Sequence, residues 1–419
     1  MSGPGVRFGL EILIGAVPEP RRAALRSIRA VSGEVLDRGL VLFFAMPASF
    51  TGEDVAELHL HGGRAVVAAV LDTLSGLEGF RPAEAGEFTR RAFGNQRLDL
   101  TQVEGLADLV AAETEAQRRQ ALRQSDGTVG RLYGSWRNRL VRARALIEAE
   151  LDFADEEDIP ASASEAAWAI ADGVRREIVN HTEDRRGERV REGVEIVVLG
   201  PPNAGKSSLV NAIAQRDVAI VTPEPGTTRD MIEVRVDLDG YAATLVDTAG
   251  LRAADNVAEQ EGVRRAEERG AKAEIVLWLN DGRETRVEPP ALTALVVRIG
   301  TKVDLIDSET ERARVVAEFD YGVSSVTGEG VAQLLDGLSR MVAKDLSGAE
   351  SVIATRARHR TALKVCAGSI EAALEDDGRG LELRAEDLRQ AGDALGGVTG
   401  RIGVEEMLDV VFRDFCIGK

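Results

Sequence analysis

The segment that most constrains this chain is Gly200-Pro201-Pro202-Asn203-Ala204-Gly205-Lys206-Ser207, which fits the pattern G-x-x-x-x-G-K-[ST]. An apolar run, 195–199, ends directly before it, as a strand buried on both faces of a parallel sheet would, and a helical segment, 208–213, follows. In that context the backbone N–H groups of the turn and the helix N-terminus bind phosphates, Lys206 reaches the outer phosphates and Ser207 binds Mg²⁺. The sequence therefore predicts an α/β domain that binds a nucleotide. The alternative is a glycine-rich turn with an incidental lysine.

Three segments further along the chain predict the metal and base parts of the same site. Asp247-Thr248-Ala249-Gly250 follows a buried strand and would place a carboxylate near the metal and a glycine amide near the terminal phosphate. In Thr301-Lys302-Val303-Asp304, the carboxylate can accept from the ring N–H and the exocyclic amine of guanine, a donor pair that adenine lacks. We therefore expect selection of GTP over ATP, with a modest loss of guanine affinity because Thr301 stands where Asn is usual. Ser324-Ser325 would complete the base pocket through backbone amides, unless it is an ordinary loop.

The residue that follows the Asp247–Gly250 segment is Leu251, which cannot orient an attacking water as a glutamine does at that place in many small GTPases. Another device must therefore do so. The loop 221–230 is rich in hydroxyl groups and helix breakers and lies where a switch segment closes over Mg²⁺. Within it, Thr228 is the expected second protein ligand of Mg²⁺.

Charge and cysteine usage exclude several classes of protein. Lys and Arg number 52 against 70 Asp and Glu, a net charge of −18, so the global field repels phosphate and excludes a polybasic nucleic-acid binder. A local basic patch remains possible. Cys366 and Cys416 are too few for a disulfide framework, and we expect a reducing, cytoplasmic setting. Membrane spanning and export are not expected, since no apolar run is long enough and no export signal precedes the first domain.

The texture of the chain predicts a multidomain α/β plus α fold. Residues 1–98 mix strand-like alternations, such as 40–44 and 55–61, with helical stretches such as 64–77, which indicates a small α+β domain. Residues 99–193 are helical, with two long amphipathic helices over 101–150 and another over 165–190. The P-loop domain covers 194–345, a mixed sheet flanked by helices with further strands near 244–246, 275–278 and 294–298. Residues 346–419 are helical again and too thin for a core of their own, so we expect them to pack on the helices of 99–193. The P-loop domain would then be an insertion in a discontinuous helical domain.

Taken together, these motifs resemble the MnmE (also called TrmE) family of tRNA-modification GTPases over nearly the whole chain. The segments that carry the resemblance are Asn203 with Gly205-Lys206-Ser207, Gly226-Thr227-Thr228-Arg229-Asp230, Asp247-Thr248-Ala249-Gly250-Leu251-Arg252, Phe50-Thr51-Gly52-Glu53-Asp54 and Phe415-Cys416-Ile417-Gly418-Lys419. The resemblance implies an N-terminal tetrahydrofolate-binding domain that dimerises and a helical domain interrupted by the GTPase domain. It also implies a heterotetramer with an FAD-containing partner of the MnmG type. Together the two proteins would add a carboxymethylaminomethyl or aminomethyl group to carbon 5 of the tRNA wobble uridine, from a 5,10-methylene- or 5-formyl-tetrahydrofolate unit.

The resemblance also assigns residues. It implies that K⁺ takes the place of an arginine finger, with GTPase domains dimerising during hydrolysis, and that Glu259 orients the water through the Mg²⁺ shell. From the sequence alone Glu259 would be a solvated acid at a helix start. The implied K⁺ ligands are Asn203, Thr222, Glu224 through its carbonyl, and Thr227. The implied catalytic residues are Glu259, Asn203, Lys206 and Thr228. The implied GTP-binding residues are Asn203, Ala204, Gly205, Lys206, Ser207, Ser208, Thr222, Thr227, Thr228, Asp247, Thr248, Ala249, Gly250, Thr301, Lys302, Asp304, Ser324 and Ser325. The implied folate contacts are Glu57, Arg97 and Lys419, with Cys416 as a possible tRNA-modification residue.

Several features allow two interpretations. His59 and His61 share a strand face, as metal ligands or in a structural or folate-adjacent role. Cys416 is a reactive thiol, a small buried hydrophobe or part of a terminal recognition segment. Two arginine clusters, 137–144 and 356–360, contact tRNA or a partner, or form charged helix faces. The segment 397–400 matches the G-x-x-G of KH domains but fits a helix-to-helix turn better.

Two further expectations concern the function and the front of the chain. The competing function is a ribosome-assembly GTPase that acts as a binding switch without modification chemistry. Members of the family begin earlier, with two strands and a folate-contacting arginine, whereas this sequence opens at Met1. We expect the sequence as given to dimerise and bind folate poorly, with a misassigned start codon as the simpler explanation of the difference.

Overall fold

A three-stranded antiparallel sheet forms the centre of the N-terminal region. The computed structural model describes residues 1–152, 163–216, 218–220, 232–247, 273–348, 354–375 and 378–400. The first elements are α1 (Val6–Ile14), β1 (Ala24–Arg29), β2 (Val35–Phe44), β3 (Val55–His59) and α2 (Arg64–Ser75), and the strand order is β1-β2-β3. One face of the sheet packs on α1, where Leu10, Leu13, Ile28, Val41 and Phe43 are buried. This alternation is what period-two side-chain placement requires of a half-buried sheet.

One prediction for this region needs correction, and one strand was missed. β3 ends at His59, so His61 lies beyond the strand instead of sharing it with His59. The backbone N–H of His61 donates to Asp37 Oδ2 at 2.8 Å, and two glycines follow, which takes this segment away from the sheet. Strand β1 was not predicted.

Helices follow up to residue 192. They are α3 (Glu87–Gly94), α4 (Leu100–Ala111), α5 (Glu115–Ser125), α6 (Thr128–Asp152), α7 (Ala163–Glu183) and α8 (Arg186–Glu192). The prediction of two helices over 101–150 is wrong, because three helices cover that range; the last break lies at Gly127, whose φ of 78° suits glycine. A single helix over 165–190 is also wrong, because Asp184 Oδ1 accepts the backbone N–H of Arg186 at 3.0 Å and begins a new helix there.

The strand β4 (Val194–Leu199) opens a six-stranded sheet. The remaining elements are α9 (Lys206–Ala214), β5 (Ile232–Leu238), β6 (Tyr241–Asp247), β7 (Ile275–Asp281), β8 (Leu295–Thr301), α10 (Glu309–Glu318), β9 (Tyr321–Val323) and α11 (Val331–Leu346). The strand order is β5-β6-β4-β7-β8-β9, parallel except for the antiparallel edge pair β5–β6. β4 is central and buried on both faces, as its apolar run predicted. The strands predicted near 244–246, 275–278 and 294–298 are all present but longer than expected, and β5 and β9 were not predicted.

Two helices, α12 (Ala357–Leu374) and α13 (Leu381–Thr399), lie near the C-terminus. α13 packs along α6, as we expected of the C-terminal helices. The buried residues of α6 recur at helical spacing: Tyr133, Trp136, Leu140, Ala143 and Ile147.

The chain divides into two compact units. One comprises Met1–Ala107, Gln124–Arg175 and Val365–Lys419, and the other Asp108–Arg123 and Arg176–Lys364. The six-stranded sheet therefore belongs to a unit that also includes parts of α4, α5, α7 and α12. No helix in the described part of the chain is long and apolar enough to cross a bilayer.

Candidate functional site

The phosphate loop joins the central strand β4 to α9. Gly200 has a φ of 143°, and a Cβ there would lie 2.2 Å from the carbonyl oxygen of Leu279, so only glycine fits between the two strand ends. Asn203 and Gly205 also have positive φ, 64° and 86°, which turns the loop back towards the helix. Lys206 is the first residue of α9, and the cap residue Gly205 makes no side-chain cap bond. A helix that begins in this way presents its N-terminus to the loop, where it can bind an anion.

The ammonium of Lys206 lies in the curve of this loop. Its Nζ donates to the carbonyl oxygens of Gly200 at 2.8 Å and Pro201 at 2.9 Å. Ser207 follows, half-buried in the first turn of α9, and Ser208 is exposed. A cation and a hydroxyl group thus meet at the N-terminus of a helix, which is the arrangement that phosphate and a bound metal require.

The residues that fit Mg²⁺ lie at the ends of two adjacent strands: Ser207 follows β4, and Asp247 ends β6. Asp247 is the last residue of β6, is fully buried, and is in register with Val198 of β4, one residue before the end of that strand. Its carboxylate is therefore at the same sheet edge as Ser207. No group of three or more potential His, Cys, Asp or Glu ligands occurs among the described residues. Such a group is not needed for Mg²⁺, which commonly takes one or two protein ligands and completes its shell with water and substrate phosphates.

The guanine segment continues from the end of β8. The Oγ1 of Thr301 is buried and lies 2.8 Å from the carbonyl oxygen of Ala204 and 3.0 Å from that of Asn280. Lys302 has a φ of 60°, and its Nζ donates to Asp281 Oδ2 at 2.9 Å. Asp304 follows in the 3-10 turn Val303–Leu305 and is half-buried. The segment predicted to bind the base is thus joined directly to the phosphate loop through Thr301.

The loop after β9 lies beside the guanine segment, because β8 and β9 pair in parallel with Thr301 opposite Val323. Ser324 is buried, and its Oγ accepts from the backbone N–H of Val326 at 3.2 Å and of Thr327 at 3.1 Å. This bonding fixes a tight turn that begins at Ser324 and contains the half-buried Ser325.

The structure therefore brings those residues predicted to bind the nucleotide that it describes to one sheet edge. They follow β4, β6, β8 and β9 at the carboxyl ends of parallel strands, where open α/β sheets bind ligands. The Mg²⁺, K⁺ and water-orienting predictions that rest on the remaining residues lie outside the described part of the chain. These residues are Thr222, Glu224, Thr227, Thr228, Thr248, Ala249, Gly250, Leu251 and Glu259.

The acidic residues of the segment Phe50–Asp54 are committed to contacts within the N-terminal region. Asp54 accepts from Arg7 Nε at 2.7 Å and from the backbone of Met46 at 2.9 Å. Glu53 accepts from Arg91 at 3.0 Å. These bonds fix the loop that precedes β3.

The two described residues with predicted folate contacts have separate neighbours. Glu57 lies in β3, half exposed, with an oxygen 3.5 Å from His59 Nε2. Arg97 is exposed after α3, and its Cγ lies 3.2 Å from where a Cβ on Gly52 would be. The other predicted contacts, Cys416 and Lys419, lie outside the described residues.

The structure decides between the alternative interpretations of some residues. His61 pairs with Asp37 at 2.8 Å and His59 with Glu57, so the two histidines contact different carboxylates and do not form a shared pair of metal ligands. The segment 397–400 is neither a KH loop nor a turn over its whole length, because 397–399 are the last residues of α13 and Gly400 is its cap. Burial raises the pKa of the Cys366 thiol to about 12, which makes it unreactive at neutral pH.

One residue near the base segment was missed by the sequence reasoning. Asp281 ends β7 and accepts from both Lys302 and Arg283. Its signal was available: an acidic residue directly after an apolar strand, at the same sheet edge as the phosphate loop.

Comparison with known proteins gives a match over almost the whole chain. Family models described as "GTP-binding protein TrmE N-terminus" and "MnmE helical domain" match residues 1–97 and 100–416. The tRNA modification GTPase MnmE of Brucella canis is 49% identical over 421 residues, covering 100% of this chain and 94% of that protein. That of Mesorhizobium japonicum is 50% identical over 421 residues, covering 100% of this chain and 95% of that protein. A solved G domain of the Thermotoga maritima FeoB iron transporter is 26% identical over 36% of this chain and 98% of its own, with a TM-score of 0.26, which is too low to add anything.

Proposed function

The chain belongs to the MnmE family of tRNA modification GTPases, and from this we propose that its GTP hydrolysis drives a folate-dependent modification of the tRNA wobble uridine. The product would carry a carboxymethylaminomethyl or aminomethyl group on carbon 5. The observation that carries the proposal is the identity of about half of all residues with these GTPases over the full chain, together with nucleotide residues gathered at one sheet edge. An FAD-containing partner of the MnmG type, in a cytoplasmic heterotetramer, would supply the redox chemistry.

We assign the nucleotide site as follows. Lys206 exchanges its two backbone carbonyl partners for the outer phosphates, and charge-assisted bonds to phosphate favour that exchange. Ser207 and Asp247 would hold Mg²⁺, which would supply positive charge to the phosphates when bound. Asp304 selects guanine, and the turn at Ser324 and Ser325 closes the pocket.

Hydrolysis needs two further contributions. K⁺ would supply the positive charge that an arginine finger supplies elsewhere, and Asn203, which is exposed in the phosphate loop, is a proposed ligand for it. Thr222, the carbonyl of Glu224 and Thr227 are the other proposed ligands, and Thr228 is the proposed second ligand of Mg²⁺. Glu259 is the proposed residue that orients the attacking water. In this proposal two GTPase domains approach each other for hydrolysis.

The N-terminal region is the proposed homodimer and folate domain. Its exposed sheet face carries Leu25 and Leu40 opposite each other, 51% and 44% exposed. Clustered exposed apolar side chains of this kind support an interface between copies of the chain. Glu57, on the same sheet face as Leu40, is then a candidate for a folate held at that interface, with Arg97, Lys419 and Cys416.

The domain boundaries that accompany this function are also proposals. They are 1–98 for the folate domain, 99–193 and 346–419 for the two parts of the helical domain, and 194–345 for the GTPase domain.

The experiment is mass spectrometry of wobble nucleosides from a strain lacking this chain. The modified uridine should be absent, restored by the wild-type chain, and not restored by Lys206→Ala. Lys344→Ala, an exposed lysine at the end of α11, is the matched control and should restore it. Unchanged wobble nucleosides in the deletion strain, with the chain sedimenting with ribosomal particles at low Mg²⁺, would instead support a ribosome-assembly switch.

A further inference from the structure

Asp281 holds one end of the guanine segment, although neither motif nor family match assigns it a role. It is the last residue of β7, in register with Thr301 of β8, and its side chain is only 5% exposed. Both carboxylate oxygens are used: Oδ1 accepts from Arg283 Nε at 3.0 Å and Oδ2 from Lys302 Nζ at 2.9 Å. These donors hold the pKa of Asp281 well below its usual range, so the residue is a carboxylate at every physiological pH.

Both the backbone and the ammonium group of Lys302 are fixed. Its backbone is held in the left-handed region by the turn that leads into Asp304, and its ammonium is held by Asp281. A lysine side chain otherwise loses considerable rotamer entropy when it becomes ordered. Because Asp281 orders it beforehand, less of that cost falls on nucleotide binding.

The position of Asp281 is itself fixed by close backbone packing. The N–H of Gly282 donates to the carbonyl oxygen of Thr301 at 2.8 Å, and a Cβ at Gly282 would lie 2.9 Å from that oxygen. The end of β7 is thereby held against the end of β8. A buried carboxylate on a rigid strand is a better anchor for Lys302 than a surface acid, since it is less screened by solvent.

We infer that Asp281 is a positioning residue for guanine nucleotide binding, which acts by holding Lys302 beside Asp304. This rests on the proposed base pocket. Loss of Asp281 should weaken contacts at the base end of the nucleotide, so the affinities for GTP and GDP should fall alike. Chemistry at the terminal phosphate should be affected little once the site is saturated.

The test is a double-mutant cycle in the full chain, read by titration with fluorescent mant-GDP and by the KM and kcat for GTP. Asp281→Asn is isosteric and should weaken mant-GDP binding and raise KM by about tenfold, the loss of one ordering charge-assisted bond, with kcat changed less than about twofold. Lys302→Met should show a similar loss, and adding Asp281→Asn to it should cause no further loss. Asp281→Ser provides a second variant with the same expectation if the first one folds poorly.

Two controls separate this role from a structural one. Arg283→Gln removes the other cation from Asp281 and keeps Lys302 in place, and Asp320→Asn removes an acid that pairs with Arg298 in the middle of β8. Both should bind mant-GDP like the wild type. Additive losses in the cycle, or unaltered affinity in Asp281→Asn, would overturn the inference.

A separate variant tests the pocket on which the inference rests. Asp304→Asn should shift preference from GTP to XTP, because the amide donates to the extra carbonyl of xanthine where the carboxylate accepted from guanine. If that shift occurs while the cycle is additive, only the role of Asp281 is wrong. If Asp304→Asn keeps its preference for GTP, the base pocket is misassigned and the inference falls with it.

Discussion

Replacing Thr301 by valine tests whether the guanine segment and the phosphate loop act as one unit. The hydroxyl of Thr301 is buried between the carbonyl oxygens of Ala204 and Asn280, at 2.8 and 3.0 Å, and its single hydrogen can serve only one of them at a time. Valine keeps the shape and removes the donor. The net contribution of one such bond is about 1 to 1.5 kcal/mol.

That energy limits the effect on nucleotide binding. If the bond keeps the two segments in their binding arrangement, its loss lowers the population of that arrangement by at most about tenfold, since 1.4 kcal/mol is a factor of ten. We therefore expect the Kd of mant-GDP to rise about fivefold to tenfold in Thr301→Val. Thr301→Ser keeps the hydroxyl and should bind within about twofold of the wild type.

The assay is a fluorescence titration at fixed K⁺ and Mg²⁺, with a thermal melt of each variant to show that it is folded. A Thr301→Val variant that binds like the wild type, or a serine variant as weak as the valine one, would refute the reasoning. Thr301→Asn, which carries the usual residue of the motif, tests the separate expectation that threonine lowers guanine affinity and should bind more tightly than the wild type.

Three further predictions concern hydrolysis and stability. GTP hydrolysis should be faster in K⁺ than in Na⁺, by up to roughly the 10³ to 10⁵ that an arginine finger contributes, and Asn203→Ala should remove the difference; equal rates in both salts contradict the K⁺ site. Glu259→Ala should lower kcat and leave nucleotide affinity nearly unchanged, because a water-orienting group acts in the transition state; a matching loss of affinity would mark it as a structural ligand. Burial, and then the nearby His359, lowers the pKa of His181 from 6.5 to about 4. The unfolded state therefore binds the proton more readily between these values, so stability should fall by at most about 3 kcal/mol as pH drops from 6.5 to 4, and melting curves of His181→Gln should lack that dependence.

The meeting of the proposed nucleotide-binding segments at one sheet edge was accessible from sequence, because these segments follow buried strands. An apolar run such as 195–199 predicts a strand, and parallel strands must end at one edge, so the phosphate loop and Asp304 could be placed together. β5 was also within reach, because Val234, Val236 and Leu238 alternate with charged residues. β9 was not, since three residues are too short to show a period.

The periodicity of the sequence could not predict helix boundaries or pairs of residues that are distant in the chain. Helical spacing continues across 184–185, but Asp184 accepts a bond from the backbone of Arg186 where α7 ends and α8 begins, and this local bond leaves no periodic signal. The pair of Asp281 and Lys302 joins two strand ends, and no spacing rule links residues 21 positions apart. Contacts of this kind follow from strand order, which the sequence alone left open.

Because the chain has a net charge of −18, tRNA would have to contact local groups of basic residues that are not already paired with acids. Arg356 lies 2.7 Å from Asp108, and Arg360 lies 2.8 Å from Glu188, each side chain being no more than 20% exposed. A cation that is already paired and largely buried gains less from phosphate, because it must first give up its carboxylate. On α6, the side chain of Arg142 is exposed to solvent, so binding phosphate would not require it to leave a buried carboxylate. Arg142 is therefore a better candidate for contact with RNA than Arg356 or Arg360.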